Sequence, residues 1–91
     1  MKLMTMRDFR VGDMFQVHVQ GTNVPMRLEA AQELPMLVRQ GGSFRLEFRG
    51  PPQPALLQGI YPFQKGSEAY NLFIVPIRSE PKGVLYEAIF N

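Results

Sequence analysis

Two apolar runs near the end of the chain constrain its fold most. Tyr70-Asn71-Leu72-Phe73-Ile74-Val75-Pro76-Ile77 is apolar at nearly every position, so a strand there is apolar on both faces. Such a strand belongs in the middle of a packed sheet. Glu80-Pro81-Lys82-Gly83 then suits a type I turn, with Pro at the second position and Gly at the fourth. Val84-Leu85-Tyr86-Glu87-Ala88-Ile89-Phe90 reads as a second strand, and the sequence stops at Asn91. A last strand that is also the last residue predicts no tail for targeting, tethering or regulation.

Upstream, the pattern is that of short strands between turn signals. Thr5 or Asp8 can cap a helical turn that Gly12 ends, with Met6 and Phe9 on its inner face. Phe15, Val17 and Val19 alternate with Gln16, His18 and Gln20, as in a half-buried strand. Gly21-Thr22-Asn23 is a turn signal. A second alternation sets Val24, Met26, Leu28 and Ala30 inward and Pro25, Arg27 and Glu29 outward. Pro25 marks an edge or an unpaired N–H position. Residues 31–42 read as an extension of that strand and a loop closed by Gly41-Gly42, because Pro35 would end a helix.

Phe44, Leu46 and Phe48 then face in, with Arg45, Glu47 and Arg49 facing out. Gly50-Pro51-Pro52-Gln53-Pro54 is a rigid loop of polyproline character. Leu56 to Phe63 reads as a further strand, interrupted at Gly59 by a bulge or close backbone approach. The expected architecture is all-β, with about six antiparallel strands in a small barrel or sandwich and one short N-terminal helical turn. Ninety-one residues give one domain, 1–91, whose small core buries about 60–65% of the unfolded surface.

Composition removes several function classes. There is no Cys, so disulfides, thiolate catalysis and cysteine metal sites are excluded. Ten Lys/Arg against eight Asp/Glu leave a net charge of +2, too small to drive nucleic-acid binding unless it clusters. The first residues, Met1 to Asp8, lack the apolar core of a signal peptide, and no run reaches the roughly 18 apolar residues that span a bilayer. The expected location is cytoplasmic, with no membrane association.

Chemistry-bearing groups are scattered. The single histidine, His18, sits on the polar side of a strand between two glutamines, which reads as a solvated surface residue. Glu47, between Arg45 and Arg49, should form lateral ion pairs. Glu87 shares a face with Leu85 and Ile89, so it reads as partly buried and paired with an arginine. Ser43, Ser67 and Ser79 lack a nucleophile elbow, and Gly41-Gly42 lacks the Lys and Ser/Thr of a phosphate loop. No enzyme activity, cofactor or metal is expected. Arg27, Arg45 and Arg49 form a candidate nucleic-acid platform, but Phe44 and Phe48 alternate away from it, and base stacking needs aromatics on the basic face. Tyr61, Tyr86 and Glu87 are the candidates for a small-molecule site. Seven Phe, three Tyr and six Met are a heavy apolar load for so small a domain, which leaves some for an interface.

Four stretches resemble a family of short bacterial proteins of unknown function. They are Phe48-Arg49-Gly50-Pro51, Gln58-Gly59-Ile60-Tyr61, Val75-Pro76-Ile77 and Tyr86-Glu87-Ala88-Ile89-Phe90-Asn91, matching F-R-G-P, Q-G-x-Y, V-P-I and a terminal Y-E-A-x-F-N. The resemblance covers residues 43–91; before that, only a phenylalanine and an F-x-V strand near a glycine match. It implies a bacterial or bacteriophage origin, a β-rich fold and an association with tail-collar-type fibre proteins of phage-like systems. It implies no catalytic residues.

The function expected from these readings is a non-enzymatic protein-interaction module, an accessory or assembly protein of a phage-tail-like system; the alternative is a small nucleic-acid-binding β-barrel. A protein partner or self-association is expected, and nucleic acid is disfavoured. The expected binding residues are Arg27, Arg45, Arg49, Gly50, Pro51 and Pro52, because recognition concentrates on loops and exposed arginines.

Overall fold

The computed structural model describes residues 4–35 and 42–90. A 3-10 turn, Met6–Asp8, precedes β1 (Met14–Val19), β2 (Thr22–Glu33), β3 (Phe44–Gly50), β4 (Gly59–Lys65), β5 (Glu68–Glu80) and β6 (Gly83–Phe90). The strands close into a barrel in the order β1-β2-β3-β6-β5-β4, and every neighbouring pair is antiparallel. The expected all-β class holds, and its form is a barrel, not a sandwich.

The barrel consists of two three-stranded meanders joined along two seams of very different strength. On one side β3 and β6 pair continuously from Phe44–Phe90 to Gly50–Val84. On the other, β1 and β4 pair only at Gln16–Gln64. Two residues further along that register, His18 falls opposite Pro62, which has no N–H to donate, so the ladder stops. Beside the one pair, Lys65 Nζ lies 2.8 Å from Asp13 Oδ2 and bridges the same seam.

Several sequence expectations shift by a few residues, each for a physical reason. The first hairpin turns at Gln20-Gly21, both at positive φ (50° and 79°), and so Thr22 and Asn23 already belong to β2. A two-residue hairpin loop needs that left-handed pair to match the twist of its strands. The helical turn ends at Asp8, before Gly12; Asp8 accepts from the Thr5 N–H at 2.9 Å and returns its own N–H to the Thr5 carbonyl at 3.0 Å. In β2 the register shifts between Leu28 and Ala30. This bulge reverses the alternation, so Ala31, not Ala30, packs against the core. Pro25 pairs with Gln16, while the β2–β3 ladder begins only at Arg27–Arg49, so its missing N–H breaks nothing. The expected strand from Leu56 starts instead at Gly59, with no bulge there. Residues 36–41 of the expected 31–42 segment lie outside the described residues.

The expectation for β5 needs the clearest correction. It pairs on both sides, with β4 and β6, but no second layer covers its outer face. A sheet closed on itself buries one face only, so Leu72 and Ile74 are buried while Phe73 is 52% exposed.

Residues outside the strands stopper the ends of the barrel. At one end Phe9 is buried among the rings of Phe15, Phe44, Tyr70 and Phe90, with centroids 5.1–6.2 Å away. Phe44 and Phe90 stack there at 4.3 Å. At the other end Leu56, in the loop after β3, is buried, and its N–H donates to the Tyr86 hydroxyl at 2.7 Å. That anchor explains why Leu56 is apolar without being a strand residue. Between the stoppers, Phe15, Phe48 and Phe63 fill the interior.

Near the Leu56 end, β3 and β6 touch backbone to backbone. Gly83 adopts φ +136°, and a Cβ there would overlap the Gly50 carbonyl oxygen. A Cβ on Gly50 would in turn sit 2.9 Å from Met26 Sδ and 3.2 Å from the Tyr86 ring.

Two stability measurements follow from this frame. In urea titrations Gly83→Ala should lose roughly 3 kcal/mol or more, because strain and overlap combine. Gly66→Ala, strained at φ +62° but with nothing near its Cβ, should lose only about 1 kcal/mol. Equal losses would refute the close approach. Separately, the hydrogen bond from Lys65 holds the Asp13 carboxyl below its usual range, against the opposing effect of burial. A lowered folded-state value stabilises above the unfolded carboxylate pKa of about 3.9 and is lost as pH falls through the lowered value. Titrations at falling pH should therefore show a shallower acid-side loss for Asp13→Asn than for the native chain.

Candidate interaction surface

The groups that could carry chemistry do not converge. His18 is exposed, opposite Asn23. Tyr86 points into the core and Glu87 points out of it. Burial pushes the Tyr86 phenol up, partly offset by the Leu56 N–H. The Tyr61 hydroxyl donates to the Leu57 carbonyl at 2.8 Å. Tyr61, Tyr86 and Glu87 therefore share no pocket. A concavity of about 500 Å³ beside Ser43 has Arg7 and Glu33 as its charged lining, and the buried Ser43 hydroxyl has no partner. Among the described residues no three His, Cys, Asp or Glu gather as metal ligands, and no helix is long and apolar enough to cross a membrane.

An ion-pair lattice covers the outer surface of β2, β3 and β6 and reaches the last residues of β5. The strand register places like charges directly opposite each other twice: Arg27 against Arg49, and Glu47 against Glu87. Each conflict is bridged by the opposite charge. Glu29 lies 3.0 Å from Arg49 Nε and 3.5 Å from Arg27 Nη1. Arg45 Nη2 lies 3.1 Å from Glu47 and 2.8 Å from Glu87. Glu29 sits at the β2 bulge, and the extra residue there aims its side chain at both arginines. Arg49 also reaches Glu80 at 3.0 Å, and Arg78 reaches the same carboxylate at 3.0 Å. Burial opposes the charge on Arg45, but its bonds to Glu47 and Glu87 outweigh it and raise its pKa. The hydrogen bond from Arg49 holds the Glu80 carboxyl down. Four arginines thus meet four glutamates, and the basic face expected from Arg27, Arg45 and Arg49 is electrically balanced.

Four of the six expected binding residues come together. Arg27, Arg49, Gly50 and Pro51 border one shallow depression of about 210 Å³, with Met14, Pro25 and Lys82. Arg45 stands further along β3, tied to β6. Pro52 is exposed and Pro51 half-buried in the loop after β3. The expected pairing of Glu87 with an arginine is present, and Glu47 pairs with Arg45.

The other half of the barrel surface has a different character. The outward positions are Ile60, Pro62 and Gln64 on β4, and Ala69, Asn71, Phe73 and Val75 on β5. None is charged. Ile60 and Phe73 lie directly opposite each other and are 70% and 52% exposed. Ile77 on β5 and Ile89 on β6 are also exposed (43% and 50%), with Ile89 opposite Arg45 of β3. The arginines and loops of the sequence point away from this face. Its signal was the failure of β5 to alternate: Phe73, Val75 and Ile77 stand where polar residues would serve.

The lattice is testable by a mutant cycle. Arg45→Ala leaves Glu47 and Glu87 opposed without a bridge and should cost about 1 kcal/mol in urea unfolding. Adding Glu87→Gln should recover most of that loss. If the double variant is no more stable than Arg45→Ala alone, the bridging account fails.

No curated protein and no solved structure matches this chain. A family model does match it, over residues 4–90, so all but the outermost residues are included. The chain belongs to the DUF6916 family, a domain of unknown function.

Proposed function

We propose that this barrel is a non-enzymatic protein-interaction module that docks through the uncharged outer face of β4 and β5. The observation that carries the reading is the exposed Ile60–Phe73 pair at the centre of that face. Burying a side chain of this size is worth about 1.5–3 kcal/mol, and an apolar surface ringed by polar residues is what docking sites present. The ion-pair lattice on the other half supports the same assignment, because its arginines already have carboxylate partners. A phosphate backbone would have to displace a glutamate at each one, so nucleic acid is the weaker alternative. The tail-collar-type fibre proteins implied by the family resemblance are the first candidates for a foreign partner.

A photo-crosslinking amino acid at position 73, with the same group at Gln32 as control, tests this in lysate of the source cells. Gln32 is exposed on β2, on the charged half. A discrete protein adduct, with itself or another chain, should form from position 73 and not from position 32. No adduct from position 73, or equal adducts from both, would overturn the reading.

A further inference from the structure

From the distribution of charge we infer that the occupant of the uncharged face is a second copy of this chain, related by a two-fold axis near Phe73. The inference rests on the docking role proposed above and names its partner. A two-fold interface sets a surface against itself, so each charge meets a like charge or must find an opposite one nearby. The lattice half is poorly suited to this, since its charges are already matched within one copy. The part of the β4–β5 face around the Ile60–Phe73 pair meets no such conflict, because its outward positions from Ile60 to Gln64 and from Ala69 to Val75 carry no charge.

Size and shape agree. Ile60, Phe73, Ile77 and Ile89 together expose about 400 Å² of apolar side chain, taking about 200 Å² for each when fully exposed. With a rim of Pro62, Gln64 and Asn71 the face reaches about 600 Å² per copy, the low end for a specific interface. That is near a tenth of the 5863 Å² surface of the barrel, the share a small protein commonly gives to one partner. The polar rim residues can hydrogen-bond across the axis, while the apolar centre excludes water. A pair of this area assembles reversibly.

Sedimentation of the pure protein from about 1 µM to 1 mM reads the outcome directly. The native chain should pass from monomer to dimer within that range. Phe73→Glu and Phe73→Lys should each stay monomeric at every concentration, since each sets two like charges across the axis. An equimolar mixture of the two should recover the dimer mass. Thermal melts check that each variant is folded, and Ile60→Glu serves the same purpose as a second disrupting change. A native chain that stays monomeric throughout overturns the inference, as does a dimer that survives Phe73→Glu. If the native chain is monomeric while position 73 still crosslinks a different protein in lysate, the docking role stands and only the second copy is excluded. If neither occurs, both fail.

Discussion

The β3–β6 ladder is the interaction on which the rest of the molecule depends. It is the continuous joint between the two meanders, and it links residues about forty apart in sequence, as the Arg45–Glu87 bond shows. Its ends are fixed by opposite means. At Phe44–Phe90 two rings stack and Phe9 seals them. At Gly50 and Gly83 all side-chain bulk is absent and the backbones meet. Such long-range pairing forms only after a costly loop closure.

That ladder also creates the electrostatic problem that the outer surface solves. Pairing β3 with β6 sets Glu47 against Glu87, and pairing β3 with β2 sets Arg27 against Arg49. One residue in each case, Arg45 or Glu29, resolves the repulsion. Arg27, Arg45, Arg49 and Arg78 are thereby engaged with glutamates across one side of the barrel. The outer face of β4, and of β5 as far as Val75, is left uncharged, with Ile60 and Phe73 exposed at its centre. The two sides of the barrel thus differ in charge and in exposed apolar area.

The fold was largely legible in the sequence because one-face burial imposes a strict alternation, clearest at Phe44-Arg45-Leu46-Glu47-Phe48. What escaped was anything that breaks period two. The bulge at Glu29 moved Ala31 inward, and no local residue announces such a shift. Leu56 looked like a strand residue because it is apolar, yet it is a stopper held by Tyr86, thirty residues away. The candidate site was legible only in part. Arg45, Arg49 and Glu87 could be read as surface charges, and the Arg45–Glu87 pairing was foreseeable in kind. That the arginines would neutralise one half of the barrel depended on the register of four strands. An apolar strand usually means burial on both faces, and a closed single-layer barrel is the case where that inference fails, leaving Phe73 exposed.

Pro62 has a consequence that reaches beyond the barrel itself. Where β1 and β4 part, the strand ladder is interrupted, and an interrupted ladder is the kind of edge that recruits strands from other molecules and seeds fibrous aggregates. Pro62 stands in that gap. The same missing N–H that keeps the barrel from zipping shut denies an incoming chain the donor it would need to grow there. An imperfect closure has thus been made safe by the residue that causes it.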